Sequence, residues 1–309
     1  MFCGQPFGTQ SQPRAVTLNS CRGSVQPLVD KQRSENLRVT IITPTYNQAQ
    51  YIAQCIESVL QQTHRNIEYL IYDACSTDGT EQVIAPYLED ARITYRREPD
   101  NGQANAVNKG FDAATGDIVC WLNSDDFFFD SESLAKVCDI FAAHEKIDVV
   151  AGDGYAASAD GVLVEQIVIS DAARISYKAT TITDNFLQPA TFWRRNEIRL
   201  DEKLHFVLDW KFFLSLYQAG SSFYYLPEFL AVYRLHGASK TTQDSAARKN
   251  EVCEILRFSG ASGAQRSWAW LIYRLYALSE TLHIPAIKKI ARFANIAMWR
   301  LSIGRIVSC

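Results

Sequence analysis

Apolar and polar positions alternate along this chain with two different periods, and the switch between them sketches a fold. VTIIT (residues 39–43) is a short apolar run closed by Pro44, which reads as a buried strand. Ile52, Ile56, Val59 and Leu60 then recur at helical spacing. IEYLIYD (67–73) predicts a second strand, followed by the turn-rich CSTDGT and a short helix reaching Tyr87. ITYRRE (93–98) predicts a third strand, 103–114 a helix and 117–122 a fourth strand. Leu134, Val137, Cys138 and Phe141 mark another helix, and residues 148–152 another strand. Strands and helices alternating at this length predict right-handed crossovers and a mainly parallel, doubly wound α/β sheet.

Beyond Gly152 the rhythm loosens. Strand-like pieces at 163–169, 190–194, 223–226 and 229–234 flank one helix at 210–219, and from Thr242 onward the pattern is helical. Residues 1–36, rich in Gly, Pro, Ser and Gln without periodicity, are expected to form a loose tail. The expected organisation is therefore a tail over 1–36, a catalytic domain over 37–240 and a helical C-terminal extension over 241–309. No internal repeat occurs.

Composition changes this picture little. The apolar fraction of 47% and charged fraction of 21% are ordinary for a soluble domain, and a net charge of −3 gives no reason to expect nucleic acid as a partner. The eight cysteines are scattered without a C-x-x-C pair, so a reducing, cytoplasmic location is expected, with neither disulfides nor structural zinc. No apolar run reaches the length of a membrane span, and the opening residues lack a signal-peptide pattern.

The candidate chemistry gathers where the predicted strands end. Thr43, Tyr46 and Asn47 follow the first strand, Asp73 ends the second, and Asn123, Asp125 and Asp126 follow the fourth. In a parallel sheet those ends open onto one crevice, which is where ligands bind. Each Asp alone reads more readily as a turn or helix cap than as a ligand; their concurrence on one edge is what points to a site. A dehydrogenase would need G-x-G-x-x-G after the first strand, but that turn is TPTYNQ, without glycine; a P-loop is absent too.

The run VTIITPTYNQAQYIAQCIESVLQQTHRNIEYLIYDACSTDGT resembles the start of a family 2 glycosyltransferase, a family with the glycosyltransferase-A fold. The resemblance continues through EPDNGQANAVNKGFDAATGDIVCWLNSDD and, more weakly, through QPATFWRR, VLDWKFF and YRLHGASKT, over roughly residues 38–240. It implies an inverting, metal-dependent enzyme that moves a sugar from a nucleoside-diphosphate donor to an acceptor hydroxyl, hexosyltransferase-like. Thr43, Pro44, Tyr46 and Asn47 would line the nucleoside pocket, with Asp73 accepting a hydrogen bond from the base. Gly102, Gln103, Asn108 and Lys109 would flank the donor phosphates. WLNSDD would be the D-x-D element, with Asn123 in place of the first Asp, Ser124 between, and Asp125 binding Mg²⁺ or Mn²⁺.

The same resemblance makes Asp209 of VLDW the catalytic base, although a helix N-cap fits that position as well. The acid that often precedes it is Leu208 here. Gln188 would lie under the acceptor site, beside Pro189. Asp126 would orient its loop, His236 would ligate the metal or touch the diphosphate, and Trp210 and Arg234 adjoin these motifs. Trp193, Arg194 and Arg195 read more simply as framework. The acceptor would be a cell-surface polysaccharide or lipid-linked glycan. A basic amphipathic helix in PAIKKIARFANIAMWRLSIGR could rest on the inner face of the cell membrane or pack on protein. Two alternatives stay open: a catalytically silent nucleotide-sugar-binding scaffold, kept alive by Asn123 and Leu208, and a nucleotidyltransferase, disfavoured by the glycine-free first turn.

Overall fold

The structure, a computed structural model, describes residues 30–168, 176–181, 184–237, 240 and 246–281. In chain order the elements are α1 (Lys31–Asn36), β1 (Val39–Thr45), α2 (Ile52–Leu60), β2 (Ile67–Asp73), α3 (Thr80–Ile84), β3 (Ile93–Arg97), α4 (Gln103–Ala113) and β4 (Ile118–Trp121). Then come β5 (Phe127–Phe128), α5 (Ser133–Ala143), β6 (Val149–Ala157), β7 (Leu163–Ile167), α6 (Tyr177–Thr180) and β8 (Thr191–Arg194). The described chain ends with α7 (Leu208–Gln218), β9 (Phe223–Arg234), α8 (Ala246–Phe258) and α9 (Gly263–Thr281).

The strands form one sheet in the order β3-β2-β1-β4-β8-β6-β9-β5, with β7 paired to β6. β3, β2, β1 and β4 are parallel, as their apolar runs predict. The other half is mixed: β8 runs antiparallel to β4 and β6, β6 and β9 are parallel, and β5 is antiparallel to β9. The reason is visible in the approach to β8. Gln188 already contacts the carboxyl end of β4 through the Trp121 carbonyl, so the strand that follows starts there and runs back. Strand order reverses between β1 and β4, and this switch point opens the crevice.

Both sheet faces are covered, which explains the near-continuous apolar strands. Val39 and Ile41 of β1, with Ile118 and Cys120 of β4, pack against Ile52, Cys55, Ile56 and Val59 of α2 and against α5. Ile42, Val119 and Trp121 face the other way, onto Val107 and Phe111 of α4 and Phe212 and Phe213 of α7. Each such fully buried side chain contributes about 1.5–3 kcal/mol. Gly110 allows this closeness, since a Cβ there would meet Ile42 Cγ2 at 2.4 Å.

Three local expectations need correction. β1 does not stop at Pro44 but continues to Thr45. Ile42 O accepts from Leu122 N on the β4 side, so Pro44, two residues on, turns its missing N–H to that side after β4 has ended. The pieces at 223–226 and 229–234 are one strand, β9, which passes Pro227 through a register shift against β6. Residues 31–36 are a helix rather than part of a tail. Asp30 caps it, Ser34 is buried against Asp139, and Arg33 pairs with Glu145 at 2.5 Å.

Cys55, Cys75, Cys120, Cys138 and Cys253 are free thiols, as their scatter predicts. No helix among the described residues is long and apolar enough to cross a membrane. The rest of the N-terminal tail and the basic helix after Pro285 lie outside the described residues.

Candidate active site

The turn after β4 is the centre of a closed hydrogen-bond network. Asn123 Oδ1 accepts from Trp121 Nε1 and from Gln103 Nε2, each at 2.7 Å. Its Nδ2 donates to Asp126 Oδ2 at 3.1 Å and to Gln188 Oε1 at 3.3 Å. Both halves of the amide are therefore fully used, and the oxygen is held by N–H donors. Asn123 is thus a hub of the framework. Ser124 beside it is buried.

Asp126 is buried beneath this turn and accepts from Arg234 N at 3.0 Å. Burial, and then the neighbouring Asp125 charge, push its carboxyl well above the usual carboxylate range. Arg234 is buried as well: Nε donates to Asp125 O at 2.8 Å and a second nitrogen to Ala159 O at 2.7 Å. Its guanidinium lies 4.8 Å from the Tyr51 ring centre and 5.3 Å from that of Phe127. Arg234 therefore fixes the backbone of the turn.

Asp125 points the other way. Its Oδ2 lies 2.9 Å from His236 Nε2, and the imidazole packs on Tyr51 with ring centres 4.7 Å apart. The pair joins residues 111 positions apart in sequence at one edge of the crevice. Gly102 opens α4 beside it with φ 110°, a conformation suited to glycine, and the space where a Cβ would project is open. Lys240 Nζ reaches Gln103 Oε1 at 2.8 Å. Desolvation by the protein around it lowers its pKa; Glu251, Asp209, Asp125 and Asp100 oppose that shift.

Asp209 stands on the opposite wall, in the first turn of α7. Its Oδ1 accepts from Trp210 N at 2.8 Å. Burial raises its pKa, while that N–H, Arg248 and Lys240 pull it down. Asp184, before β8, is driven further up by burial and by the Asp209 charge beside it. Two carboxylates that share a wall cannot both ionise freely, and the pair keeps a proton at higher pH than either would alone.

Several residues expected at the donor are engaged with their own framework, some buried and some at the surface. Thr43 is fully buried, with Oγ1 3.2 Å from Tyr69 OH on the α2 side. Asp73 accepts from Ser76 N at 2.8 Å, Ser76 Oγ at 2.6 Å and Tyr95 OH at 2.7 Å, so its carboxylate braces the loop after β2. Asn47, at φ 54°, accepts from Thr77 N and donates its own N–H to Ser76 Oγ, stitching the first two loops together. Asn108 clamps both the N–H and the carbonyl of Leu200. Lys109 holds Pro99 O and Glu98. Trp210 is core, its Nε1 donating to Thr180 O at 2.6 Å.

Pro44 is buried at the end of β1, and Tyr46 is exposed just beyond it. Gln188, expected under the acceptor site, contacts the turn through Asn123 Nδ2 and the Trp121 carbonyl. Trp193 is core, and Arg194 and Arg195 sit at the amino end of β4, away from the crevice. Sequence reasoning missed Lys240, Asp184 and the partnership of Trp121 and Gln103 with Asn123. Lys240 had a signal, since it lies in the same YRLHGASKT segment as His236. Asp184 had none.

Comparison with known proteins adds an independent view. The profile of Glycosyl transferase family 2 matches residues 40–204. The PGL/p-HBAD biosynthesis glycosyltransferase of Mycobacterium tuberculosis is 36% identical over 117 residues, covering 37% of this chain and 45% of that protein. A Nostoc protein named an uncharacterized glycosyltransferase is 35% identical over 116 residues, covering 37% of this chain and 36% of its own. The match thus spans under half the length of these curated relatives. The crystal structure of S. aureus TarS in complex with UDP-GlcNAc superimposes with a TM-score of 0.60 at 19% identity, over 75% of this chain and 70% of that one. The mannosyltransferase PcManGT from Pyrobaculum calidifontis, in complex with GDP-Man and Mn²⁺, gives 0.54 at 18% identity, over 87% of each chain. At such identities the superpositions show a shared fold.

Proposed function

The chain belongs to glycosyl transferase family 2, and from that premise we propose that it moves a sugar from a nucleoside-diphosphate donor to an acceptor hydroxyl, with inversion. One observation carries the reading. Lys240, bonded to the Gln103 that also holds Asn123, lies within electrostatic reach of both Asp125 and the buried base candidate Asp209, which supports one shared site. The donors seen with TarS and PcManGT support the substrate class.

A divalent cation fits the first wall. Two adjacent ligands on a small hard cation, with bonds near 2.1 Å at a right angle, stand about 3.0 Å apart. Asp125 Oδ2 and His236 Nε2, hydrogen-bonded to each other at 2.9 Å, already stand at that spacing; the carboxylate suits Mg²⁺ or Mn²⁺, while the imidazole is a ligand that Mg²⁺ takes poorly. No group of three or more His, Cys, Asp or Glu side chains fit to hold a metal occurs among the described residues, so the protein supplies few charges. When bound, the cation would neutralise charge developing on the leaving diphosphate. Asn123, its oxygen already engaged, stays outside the ligand set.

The chain's own residues do the remainder. Gln103 and Lys240 border the diphosphate, and Pro44 and Tyr46 border the nucleoside. Asp209 takes the acceptor proton during in-line attack. Burial makes it a stronger base than an exposed carboxylate, and the neighbouring Asp184 carboxyl shares in the raised proton affinity of the pair. We assign the acceptor to a cell-surface polysaccharide or lipid-linked glycan, met at the inner face of the membrane.

The test is a screen of UDP- and GDP-sugars with and without Mn²⁺, read as nucleoside diphosphate released and as anomeric configuration of the product. Mn²⁺-dependent release that rises with acceptor and gives the inverted anomer is expected. Donor binding with no turnover across the panel would overturn the reading in favour of a silent scaffold.

A further inference from the structure

α8 begins beyond residue 240, where the sequence pattern suggested that the catalytic domain ends, yet it supplies the carboxylate that holds the approach to Asp209. Glu251 is buried at 8% exposure. Its Oε1 accepts from His205 N at 2.9 Å, and its Oε2 from Phe206 N at 2.8 Å and Val207 N at 3.3 Å. Val207 is the N-cap of α7 and has no capping side chain of its own. A single carboxylate from another helix therefore satisfies three consecutive backbone donors immediately before the turn that carries Asp209. Hydrogen bonds of this kind, with a charged acceptor, are the strong ones.

α8 is anchored for that task. Val252, Ile255 and Leu256 pack in the same core as Leu208, Trp210 and Phe213 of α7. Past its end, Ser259 Oγ donates to Thr181 O at 2.9 Å, and Tyr177 OH donates to Ser259 O at 3.2 Å.

We propose that Glu251 is a positioning residue for glycosyl transfer, fixing the backbone of residues 205–207 and so aiming Asp209 at the acceptor hydroxyl. The inference rests on Asp209 being the base. Removing the carboxylate leaves three N–H groups to find water, and the loop must shift to expose them. The body of α7 is pinned by Trp210, Phe212 and Phe213, so the shift is absorbed at its first turn. Asn123, Gln103, Asp125 and His236 belong to other elements and do not move with it.

The experiment uses full-length Glu251→Ala, Glu251→Gln and Ile255→Ala beside Asp209→Asn, reading donor Kd, transfer kcat and Tm for each. For Glu251→Ala we expect kcat to fall on the order of 10- to 100-fold, with donor Kd changed far less and by the same factor in Glu251→Gln, since both remove the charge facing Lys240. Glu251→Gln should regain part of that loss, because its amide oxygen can still accept from Phe206 N and Val207 N while its NH2 group meets the His205 N–H. Ile255→Ala, a core truncation that leaves the loop bonds in place, should lower Tm at least as far yet keep wild-type kcat well below its Tm. Wild-type kcat in Glu251→Ala, or kcat falling in step with Tm in both α8 variants, would overturn the proposal. If Asp209→Asn itself keeps turnover, the base assignment fails first. If it loses turnover while the Glu251 variants keep theirs, only this inference fails.

Discussion

The two walls of the crevice are built on opposite principles. On the β4 wall nearly every polar atom is spoken for: Asn123 uses both amide ends, Asp126 is held by Asn123 and Arg234, and Gln188 closes the ring. On the α7 wall Asp209 accepts from Trp210 N and sits beside a second carboxylate, Asp184. The first wall is rigid because it is saturated. The second is held from behind, by Glu251, and its front is left electrostatically strained. Saturation suits a surface that must fix a charged donor in one pose. Under-compensation suits a carboxylate that must take up a proton.

Asp125→Ala should break the first wall's function most severely. It removes one of two candidate ligands, and the several kcal/mol that a bound cation supplies correspond to a loss on the order of 10²–10³-fold in metal-stimulated turnover. Steady-state rates over a Mn²⁺ titration check this, and unchanged Mn²⁺ stimulation would show that the ligands lie elsewhere.

Asn123→Asp is the sharper probe of saturation. The new carboxylate keeps the bonds from Trp121 and Gln103 but meets Asp126 where an amide N–H now donates at 3.1 Å. One of the two must then hold a proton, so the folded pair has a raised pKa and stability falls as pH rises through it. We expect a destabilisation of about 1–3 kcal/mol, larger at pH 8 than at pH 5, without tighter Mn²⁺ binding. Thermal melts at the two pH values, with calorimetric Mn²⁺ titration, read both effects. A pH-independent Tm with improved metal affinity would mean that Asn123 Oδ1 faces the cation after all.

The smallest expected effect is on the second wall. Asp209 has a raised folded pKa, so the folded state binds more protons than the unfolded one just above the ordinary carboxylate range, and its contribution to stability is lost as pH rises. Asn at this position keeps the bond from Trp210 N without burying a charge. Asp209→Asn should therefore show a Tm at pH 7 equal to or slightly above wild type, in a melt that also serves as its folding control.

Much of this was legible in the chain itself. The apolar runs of β1, β2 and β4 declared a sheet buried on both faces, and the polar turn at residues 121–126 marked the end of β4. Side-chain direction in the loops was not legible. Asp73, Asn47 and Asn108 end strands or line helices as donor residues would, yet each spends hydrogen bonds on its own framework, backbone and side chain alike. Pro44 looked like a strand end because the chain alone does not say that β4 stops first. Glu251 sits on a helix rich in charged residues, and only the fold brings it under residues 205–207. Helix α1 hid for a related reason: KQRSEN has no apolar stripe, and its helix depends on the Asp30 cap and contacts with α5.

The account's central claim is that donor binding belongs to one wall and proton transfer to the other. Donor affinity and acceptor-dependent turnover of Asp209→Asn, measured together against wild type, address it most directly. The prediction is a donor Kd within about twofold of wild type and a kcat lower by on the order of 10²–10⁴. Turnover close to wild type, or donor affinity lost in proportion to turnover, would contradict it.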